Sequence, residues 1–510
     1  MTENKYLLGV DVGTSGTKTM LFNLQGEALA AYTGEYPLYQ PHNGWAEQDP
    51  EDWWQATAAG IRHVLEAGKI DPAEIAGVGL SGQMHGLVAL DGEGEAVRHC
   101  IIWADQRTGE EVRDMEAKIG RDDIIRITAN PPMTGFTAAK ILWMKKNEPE
   151  LYARVKHILL PKDYIRYRLT GEFISDVSDA SGMQLMDVAA RTWSDELLEK
   201  LDIDRELLPE LVESQDEAGR IHAEGARETG LPEGTLLVGG AADNAAAAIG
   251  TGVYKPGRAF TTIGSSAVVY TVTDQPQIDS EGRVHTLCAS VPGKWTLMSC
   301  TQAAGLSLQW LRNTVCQAEA AEALERGMDT YDVMTEKAAE IPPGAGKLIY
   351  LPYLMGERSP YLDPDARGVF FGLSAIHGRP ALIRAVMEGV AYSQAQCVDI
   401  FRENNADITD MIVTGGGGRS PLWRQMLADL YAAPVRTLKV DQGGALGAAI
   451  LAGVGSGCFA SLEEACEQLI RYREPIQPDQ EAHEAYQPYF ELYKDLYGQL
   501  ASSFQRLAEI

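Results

Sequence analysis

The run Tyr6-Leu-Leu-Gly-Val-Asp-Val-Gly-Thr-Ser-Gly-Thr-Lys-Thr-Met-Leu-Phe22 constrains this fold more than any other. Two short apolar segments flank Gly13-Thr14-Ser15-Gly16, which predicts an antiparallel hairpin closed by a glycine-rich turn. Near the middle of the chain, Ala259–Val272 repeats the pattern around Gly264-Ser265-Ser266. A hairpin recurring after roughly half the chain points to two domains of one plan. The first turn offers backbone N–H groups and hydroxyls with Asp11 at its mouth. That combination suits a phosphate with a divalent cation, though an ordinary hairpin turn would look the same. Gly9, Gly13 and Gly16 are spaced G-x3-G-x2-G, neither a dinucleotide fingerprint nor a Walker A loop. A dinucleotide oxidoreductase is set aside on that spacing.

Charge narrows the partners. With 44 basic against 72 acidic residues the net charge is −28, which argues against nucleic acid or an anionic membrane as partner. A nucleotide needs only a local cluster of donors. The start, Met1-Thr-Glu-Asn-Lys5, lacks the basic and apolar regions of a signal peptide. No apolar run approaches the ~18 residues of a membrane span. The seven cysteines are scattered without a CxxC pair, so reduced thiols and a cytoplasmic protein are expected.

Along the chain, a third strand is expected over 27–33. A helix opens at Asp49-Pro50, presents Trp54, Ile61, Val64 and Leu65, and stops at Gly68. A buried strand at 75–80 ends in Ser81-Gly-Gln-Met-His-Gly86, followed by a hairpin over 87–103 and a helix opened by Ala104–Arg107. Three antiparallel strands leading into strand–helix alternation define an α/β protein. Residues 137–228 read as mostly helical, with a polar segment at 175–181. A strand over 235–241 leads to Asp243 and the helix Ala245–Ile249. We expect a first domain over 1–253, a second over 254–455, and C-terminal helices over 456–510 packed on the second. In the second, Gln302–Gly305 opens a helix and a long helix covers 380–404. Met411–Ser420 is a strand ending in the glycines Gly415–Gly418 ahead of the helix Pro421–Tyr431, a seat for a nucleotide or phosphate. The small-residue helix beginning Gly443-Gly-Ala-Leu-Gly447 is expected close behind that loop, and an amphipathic helix over 481–507 packs on the core.

Asp11 with its turn, the turn at Thr262–Ala267 and the loop at 415–418 would together hold a nucleoside triphosphate and a metal between two halves. Asp243, at a strand end among small residues, is placed like a general base, and Gln83, Met84 and His85 would line a small polar pocket. Phosphoryl transfer needs this set. Taken alone, His85 reads more readily as a satisfied core histidine, and its neighbours Gln83 and Met84 turn that reading toward a pocket.

Collinear motifs then resemble one family, the FGGY carbohydrate kinases of the actin/hexokinase-like superfamily. They include Gly9–Gly16, Trp45-Ala-Glu-Gln-Asp-Pro50 with Trp53-Trp54, Ser81–Gly86, Gly135–Trp143 and Leu160-Pro-Lys-Asp-Tyr164. Further along they are Gly240-Ala-Ala-Asp-Asn244, Leu354-Met-Gly-Glu-Arg-Ser-Pro360, Gly368–Leu373 and Thr414–Ser420. The resemblance implies two RNase H-like domains with ATP in a central cleft. It implies Asp243 as the proton acceptor and Asp11 as the carboxylate associated with Mg²⁺. Met84, His85 and Asn244, with Gln83, fall where relatives contact the sugar. Gly13, Thr14, Ser15, Gly16 and Thr17, and Thr262, Gly264, Ser265, Gln302 and Gly305, fall at the nucleotide, as do Gly416, Gly417, Arg419 and Ser420. Lys18 reads as a phosphate ligand or as a solvated strand residue. Trp103, Asp105 and Arg107 resemble a sugar-side stretch, and an ion-paired helix start explains the last two as well.

Within the family the Gln83–Gly86 stretch resembles members that phosphorylate D-xylulose at O5. A kinase for another ketopentose, a polyol or an aldonate is the near alternative, and an ATP-switched binding protein of the actin/heat-shock type the remote one. A homodimer is the family's expectation. Two departures stand out: Ala267 occupies a position often glycine in relatives, and Ala381 one that is usually polar.

Overall fold

The computed structural model describes residues 5–510. In chain order the elements that shape the site are β1 (Tyr6–Val12), β2 (Gly16–Asn23), β3 (Ala28–Glu35), α1 (Pro50–Gly68), β4 (Ile75–Gly82) and α2 (Pro161–Thr170). Next come β5 (Glu217–Arg220), β6 (Leu236–Val238), β7 (Ala241–Ala242), α3 (Asp243–Gly250), β8 (Gly257–Ile263) and β9 (Ala267–Thr273). Then follow β10 (Trp295–Thr301), α4 (Gly305–Thr314), α5 (Arg379–Glu403), β11 (Ile408–Thr414), α6 (Pro421–Tyr431) and β12 (Val435–Arg436). The chain closes with α7 (Gly443–Gly455), α8 (Leu462–Leu469) and α9 (Gln480–Ala508). The described residues fall into two compact units. One holds the chain up to Tyr254 with Thr273–Thr296 and Gln442–Arg471; the other holds Lys255–Val272, Leu297–Asp441 and Tyr472–Ile510.

In the first unit the sheet order is β5-β6-β4-β1-β2-β3, with β7 also on β4. β1, β2 and β3 are antiparallel, and β4 joins β1 in parallel with Asp11 opposite Ser81. Leu8, Val10 and Val12 of β1 are fully buried against Trp53, Trp54 and Ile61 of α1, each such Leu or Val contributing about 1.5–3 kcal/mol. Asp49 caps α1 by accepting from the Glu51 N–H, and Pro50 takes the first helical position. The helix ends one residue later than glycine chemistry suggests: Gly68 is still helical and Lys69 adopts the left-handed cap, with φ 52°.

Two expectations fail here for tertiary reasons. The hairpin over 87–103 shrinks to bridges at Leu87–Ile101 and Leu90–Ala96, because each side pairs elsewhere. Val88–Leu90 joins His157–Leu159, and Cys100–Ile101 joins Glu47–Gln48. The helix α7 is not behind the glycine loop of the second unit; it packs in the first unit on β1, β4 and α3. Its fit is backbone on backbone. A Cβ at Gly9 would lie 1.9 Å from the Ala445 carbonyl oxygen, and one at Gly79 1.9 Å from that of Ala448. For the same reason the segment after 455 is shared: α8 belongs to the first unit and α9 to the second.

The second unit repeats the plan with the order β10-β9-β8-β11-β12. β8 and β9 are antiparallel, and β11 joins β8 in parallel with Thr262 opposite Thr414. The long helix α5 is buried along most of its length, and Tyr486, Phe490, Tyr493 and Leu496 bury one face of α9. Ala381, the departure noted in the sequence, is buried on α5.

Candidate functional site

In the first unit three parallel strand ends converge. Asp11 is the penultimate residue of β1, Ser81 faces it from β4, and β7 pairs with Ser81–Gly82 and runs directly into Asp243, the first residue of α3. Ser81 Oγ donates to Asp11 Oδ1 at 2.7 Å. Burial raises the Asp11 carboxyl above its usual range, against the lowering effects of Ser81 and of Lys18, its antiparallel partner on β2. Asp243 is raised further, to about 7, chiefly by burial and secondarily by the negative charge of Asp11. Both side chains keep part of their surface open while protein crowds the rest. The Asn244 N–H and Nδ2 donate to Asp243 Oδ1 at 2.6 and 2.9 Å, which orients the carboxyl. The second oxygen of Asp11 lies under the small helix start at Gly444, where a Cβ would come within 3.1 Å.

The first turn is held by side chains from distant segments. Tyr36 OH donates to the Gly13 carbonyl, Gln48 Nε2 to the Thr14 carbonyl at 2.7 Å, and Trp103 Nε1 to Thr14 Oγ1 at 2.9 Å. Gln83 is fully buried and belongs to this scaffold: its Nε2 donates to Gln48 Oε1 at 2.7 Å, and Thr14 Oγ1 lies 3.4 Å from its Oε1. Thr17 is buried, Gly16 and Lys18 are half-buried and Ser15 is exposed.

His85 adopts a left-handed backbone with φ 68°. Its Nδ1 lies 2.7 Å from the Gly182 carbonyl, so that nitrogen carries the proton. The His85 carbonyl accepts from Lys140 Nζ at 2.8 Å and Thr137 Oγ1 at 3.0 Å, while Phe136 packs on the ring. The Gly135–Trp143 motif therefore pins His85. Met84 is buried beside it. Asp105 and Arg107 form a buried pair: Arg107 donates from Nε and Nη2 at 2.9 and 2.7 Å, its guanidinium lies 3.6 Å from the Trp45 ring centre, and Asp105 also accepts the Ala46 N–H at 2.6 Å. The following helix begins only at Gly109. Trp103 is the exposed member of the stretch, at 41%.

A buried charge cluster underlies this site. Lys162 Nζ on α2 lies 2.6, 2.8 and 3.3 Å from Asp163, Asp176 and Asp179, and Arg166 Nη1 lies 2.6 Å from Asp163. Burial works against the Lys162 charge, but the three carboxylates outweigh it and hold the ammonium above its usual range. Burial likewise raises Asp179 well above the usual carboxylate range. Asp176 Oδ2 accepts from Ser178 Oγ, and Ser178 Oγ accepts the Ala242 N–H at 3.2 Å, one residue before Asp243. The sequence signal lay in Leu160–Tyr164 and in the polar segment 175–181, but no residue there carried an assigned role.

The second unit builds its turn differently. Thr262 Oγ1 and Thr414 Oγ1 share a hydrogen bond at 2.7 Å. The N–H groups opening α4 hold the turn: Gly305 donates to the Gly264 carbonyl at 2.8 Å, and Ala304 and Leu306 to the Ser265 carbonyl at 2.9 and 3.1 Å. Only glycine fits at 305, since a Cβ would lie 2.4 Å from the Gly264 oxygen. The Gln302 N–H donates to Glu357 Oε1 at 2.9 Å; burial pushes that carboxyl up to about 8. Gly416–Arg419 form a 3-10 turn after β11, and Ser420 Oγ caps α6 by accepting the Trp423 N–H at 3.2 Å. Gly416 and Arg419 are exposed.

A mixed α/β architecture of two like units, with interacting carboxylates at strand ends in one and a glycine loop ahead of a helix start in the other, suits phosphoryl transfer. Residues 6–250 match the N-terminal domain of the FGGY family of carbohydrate kinases and residues 259–456 its C-terminal domain; the chain belongs to that family and is an ATP-dependent carbohydrate kinase. It is 38% identical to the xylulose kinase of Bacillus subtilis (strain 168) over 97% of each chain. A crystal structure described as a xyloylose kinase from Brucella ovis matches at TM-score 0.90 with 36% identity, covering 98% of this chain and 99% of that one. A gluconate kinase from Lactobacillus acidophilus matches at TM-score 0.92 with 30% identity over 99% of each. No helix among the described residues is long and apolar enough to cross a membrane.

Proposed function

We propose that the chain phosphorylates D-xylulose at O5, with Asp243 as the general base. The supporting observation is the Asp11–Asp243 arrangement at the ends of β1 and β7. Asp243 is crowded, oriented through Oδ1 by Asn244, and raised to about 7. A carboxylate with that affinity accepts the proton of a hydroxyl as its oxygen moves toward phosphorus, and near neutral pH it still spends much of its time ionised. The sugar would lie beside Asn244, Met84 and His85, with Trp103 over the first turn. In the first unit the turn at Gly13–Thr17 would take phosphate; in the second, the turn at Thr262–Ser265, Gln302, Gly305 and the loop Gly416–Ser420 would take the nucleotide.

Asp11 fits a magnesium ion: it is a partly open carboxylate whose side-chain hydrogen-bond donor, Ser81, sits on Oδ1. Among the described residues no group of three or more His, Cys, Asp or Glu side chains could hold a metal, so Asp11 would share the ion with phosphate oxygens and water. Bound there, the ion would neutralise charge on the transferred phosphoryl group. Ser81 and Lys18 orient and balance Asp11, and Lys162, through Asp176 and Ser178, would fix the backbone that delivers Asp243.

The decisive experiment is ADP release across D- and L-xylulose, D- and L-ribulose, gluconate and glycerol, with the wild type and Asp243→Asn. D-xylulose is expected to be preferred, and the variant to lose about 10²–10⁴-fold in kcat with ADP binding unchanged. Retained turnover would remove Asp243 as base. Preference for gluconate, the second reading that the gluconate kinase structure favours, would keep the base and reassign the sugar.

A further inference from the structure

The Gly415–Arg419 loop has two faces. Toward β8 it is packed: a Cβ at Gly417 would lie 2.5 Å from Ile263 Cγ2. Its other face opens on a cavity of about 670 Å³ that also reaches α6, the segment after β12 and Arg473. Of the nucleotide contacts proposed above, Thr262, Gly264, Ser265, Gln302 and Gly305 do not line that cavity, whereas Gly416 and Arg419 do, so it adjoins the nucleotide loop.

Its walls carry Arg419, Arg424, Lys439 and Arg473 against one carboxylate, Asp441. That is unusual in a chain with 44 basic and 72 acidic residues. Arg98, Arg107, Arg166 and Arg191 all sit within ion-pairing distance of a carboxylate. Among the described residues none of the four cavity cations does. Arg424 Nε is buried without a hydrogen-bond partner, and its Nη1 reaches only Thr437 Oγ1, at 3.4 Å. Burial, and then the like charge of Arg473, make Arg424 easier to deprotonate than an ordinary arginine. The Arg473 N–H donates to the Thr437 carbonyl at 2.9 Å, which anchors that residue's backbone beside the cavity. Converging cations with a desolvated, unpaired donor cost free energy that a bound anion recovers. Three guanidinium forks with an ammonium suit tetrahedral oxyanions better than planar carboxylates.

We propose that this cavity binds a phosphate ester or a free polyphosphate on its Arg424, Lys439 and Arg473 side, at a site that adjoins the nucleotide seat at Gly416 and Arg419. Occupancy there would bear on the glycine loop from behind, which gives a phosphorylated metabolite a route to modulate nucleotide affinity.

The test is calorimetric titration of the full chain, saturated with ADP, with inorganic phosphate, pyrophosphate and a hexose monophosphate in separate arms. At least one is expected to bind with ADP in place and to weaken about tenfold or more in R424Q/R473Q, while ADP affinity and sugar-dependent turnover hold. The tightest arm identifies the source, free phosphate or ester. No binding to the ADP-saturated protein overturns the proposal. So does a parallel loss of ADP affinity, which would assign these cations to the nucleotide. Should the double variant fail to fold, the exposed single variants R473Q and K439Q are read by the same criteria. Because binding is measured directly, failure of this site is distinct from failure of the kinase assignment.

Discussion

The two glycine turns sit at equivalent places in two like sheets and do different chemistry. Each follows a strand whose penultimate residue faces a parallel neighbour: Asp11 opposite Ser81 in one, Thr262 opposite Thr414 in the other. One strand end therefore carries charge and its counterpart carries paired hydroxyls. The anchoring differs as well. Side chains of Tyr36, Gln48 and Trp103 clamp the first turn, whereas backbone N–H groups opening α4 clamp the second. A clamp of separate side chains leaves the turn responsive to the sugar-side residues that supply it. The helix start spends its N–H groups on the Gly264 and Ser265 carbonyls and so fixes the shape of the second turn. The two hairpins also differ in what they allow after the turn. In the first hairpin a Cβ at Gly16 would meet the Gly34 oxygen of β3 at 2.7 Å, while Ala267 is simply buried in its strand.

The largest expected effect separates the two strand ends. Asp11→Asn should cost about 10²-fold or more in kcat and raise the magnesium concentration needed for half-maximal rate, whereas Thr262→Val should cost about tenfold or less, mainly in KM for ATP. Equal losses would break the division into a charged and a neutral turn. Next comes the pH profile. Asp243 must be ionised to accept a proton, so kcat/KM should rise about tenfold per pH unit below about 7 and level above it. A flat profile between pH values of about 5 and 8 would exclude a base of this kind.

Gly305→Ala should follow, because its Cβ would lie 2.4 Å from the Gly264 carbonyl oxygen and force the second turn to shift. We expect a loss of about 1–3 kcal/mol in stability with weaker ADP binding, read by urea titration and calorimetry. Glu357 supplies a stability test of the same unit. Its folded carboxyl is raised from 4.5 to about 8, so the native state binds the proton more tightly and stability should fall as pH climbs through that window. Glu357→Gln should flatten that part of the curve, measured as urea midpoints across the same range. The smallest effect is Ala267→Gly, expected to lower stability by about 0.5–1 kcal/mol and leave turnover unchanged.

Local chemistry was legible without the structure. The two hairpins, the capped helix at Asp49-Pro50, the long α5 and the strand–glycine–helix unit at 408–431 follow from period, caps and turn residues. Asp11 and Asp243 were singled out because a carboxylate at a strand end among small residues has few structural reasons to be there. Other features depend on which distant segments meet, and no local pattern encodes that. Gln83 reads as a pocket residue until Gln48 and Thr14 are seen to consume its amide. The helix after Gly443 returns to the first unit because Gly9 and Gly79 leave its backbone room on that sheet, a complementarity spread over more than 400 residues of chain. Lys162 with its three aspartates looks like an ordinary polar surface in sequence and is a sealed charge cluster in space. What the sequence by itself determined is the repertoire: the elements, the two carboxylates and the glycine loops. The tertiary structure decided which of those groups are buried, paired or left open, because desolvation and neighbouring charge belong to the packed molecule and not to the chain.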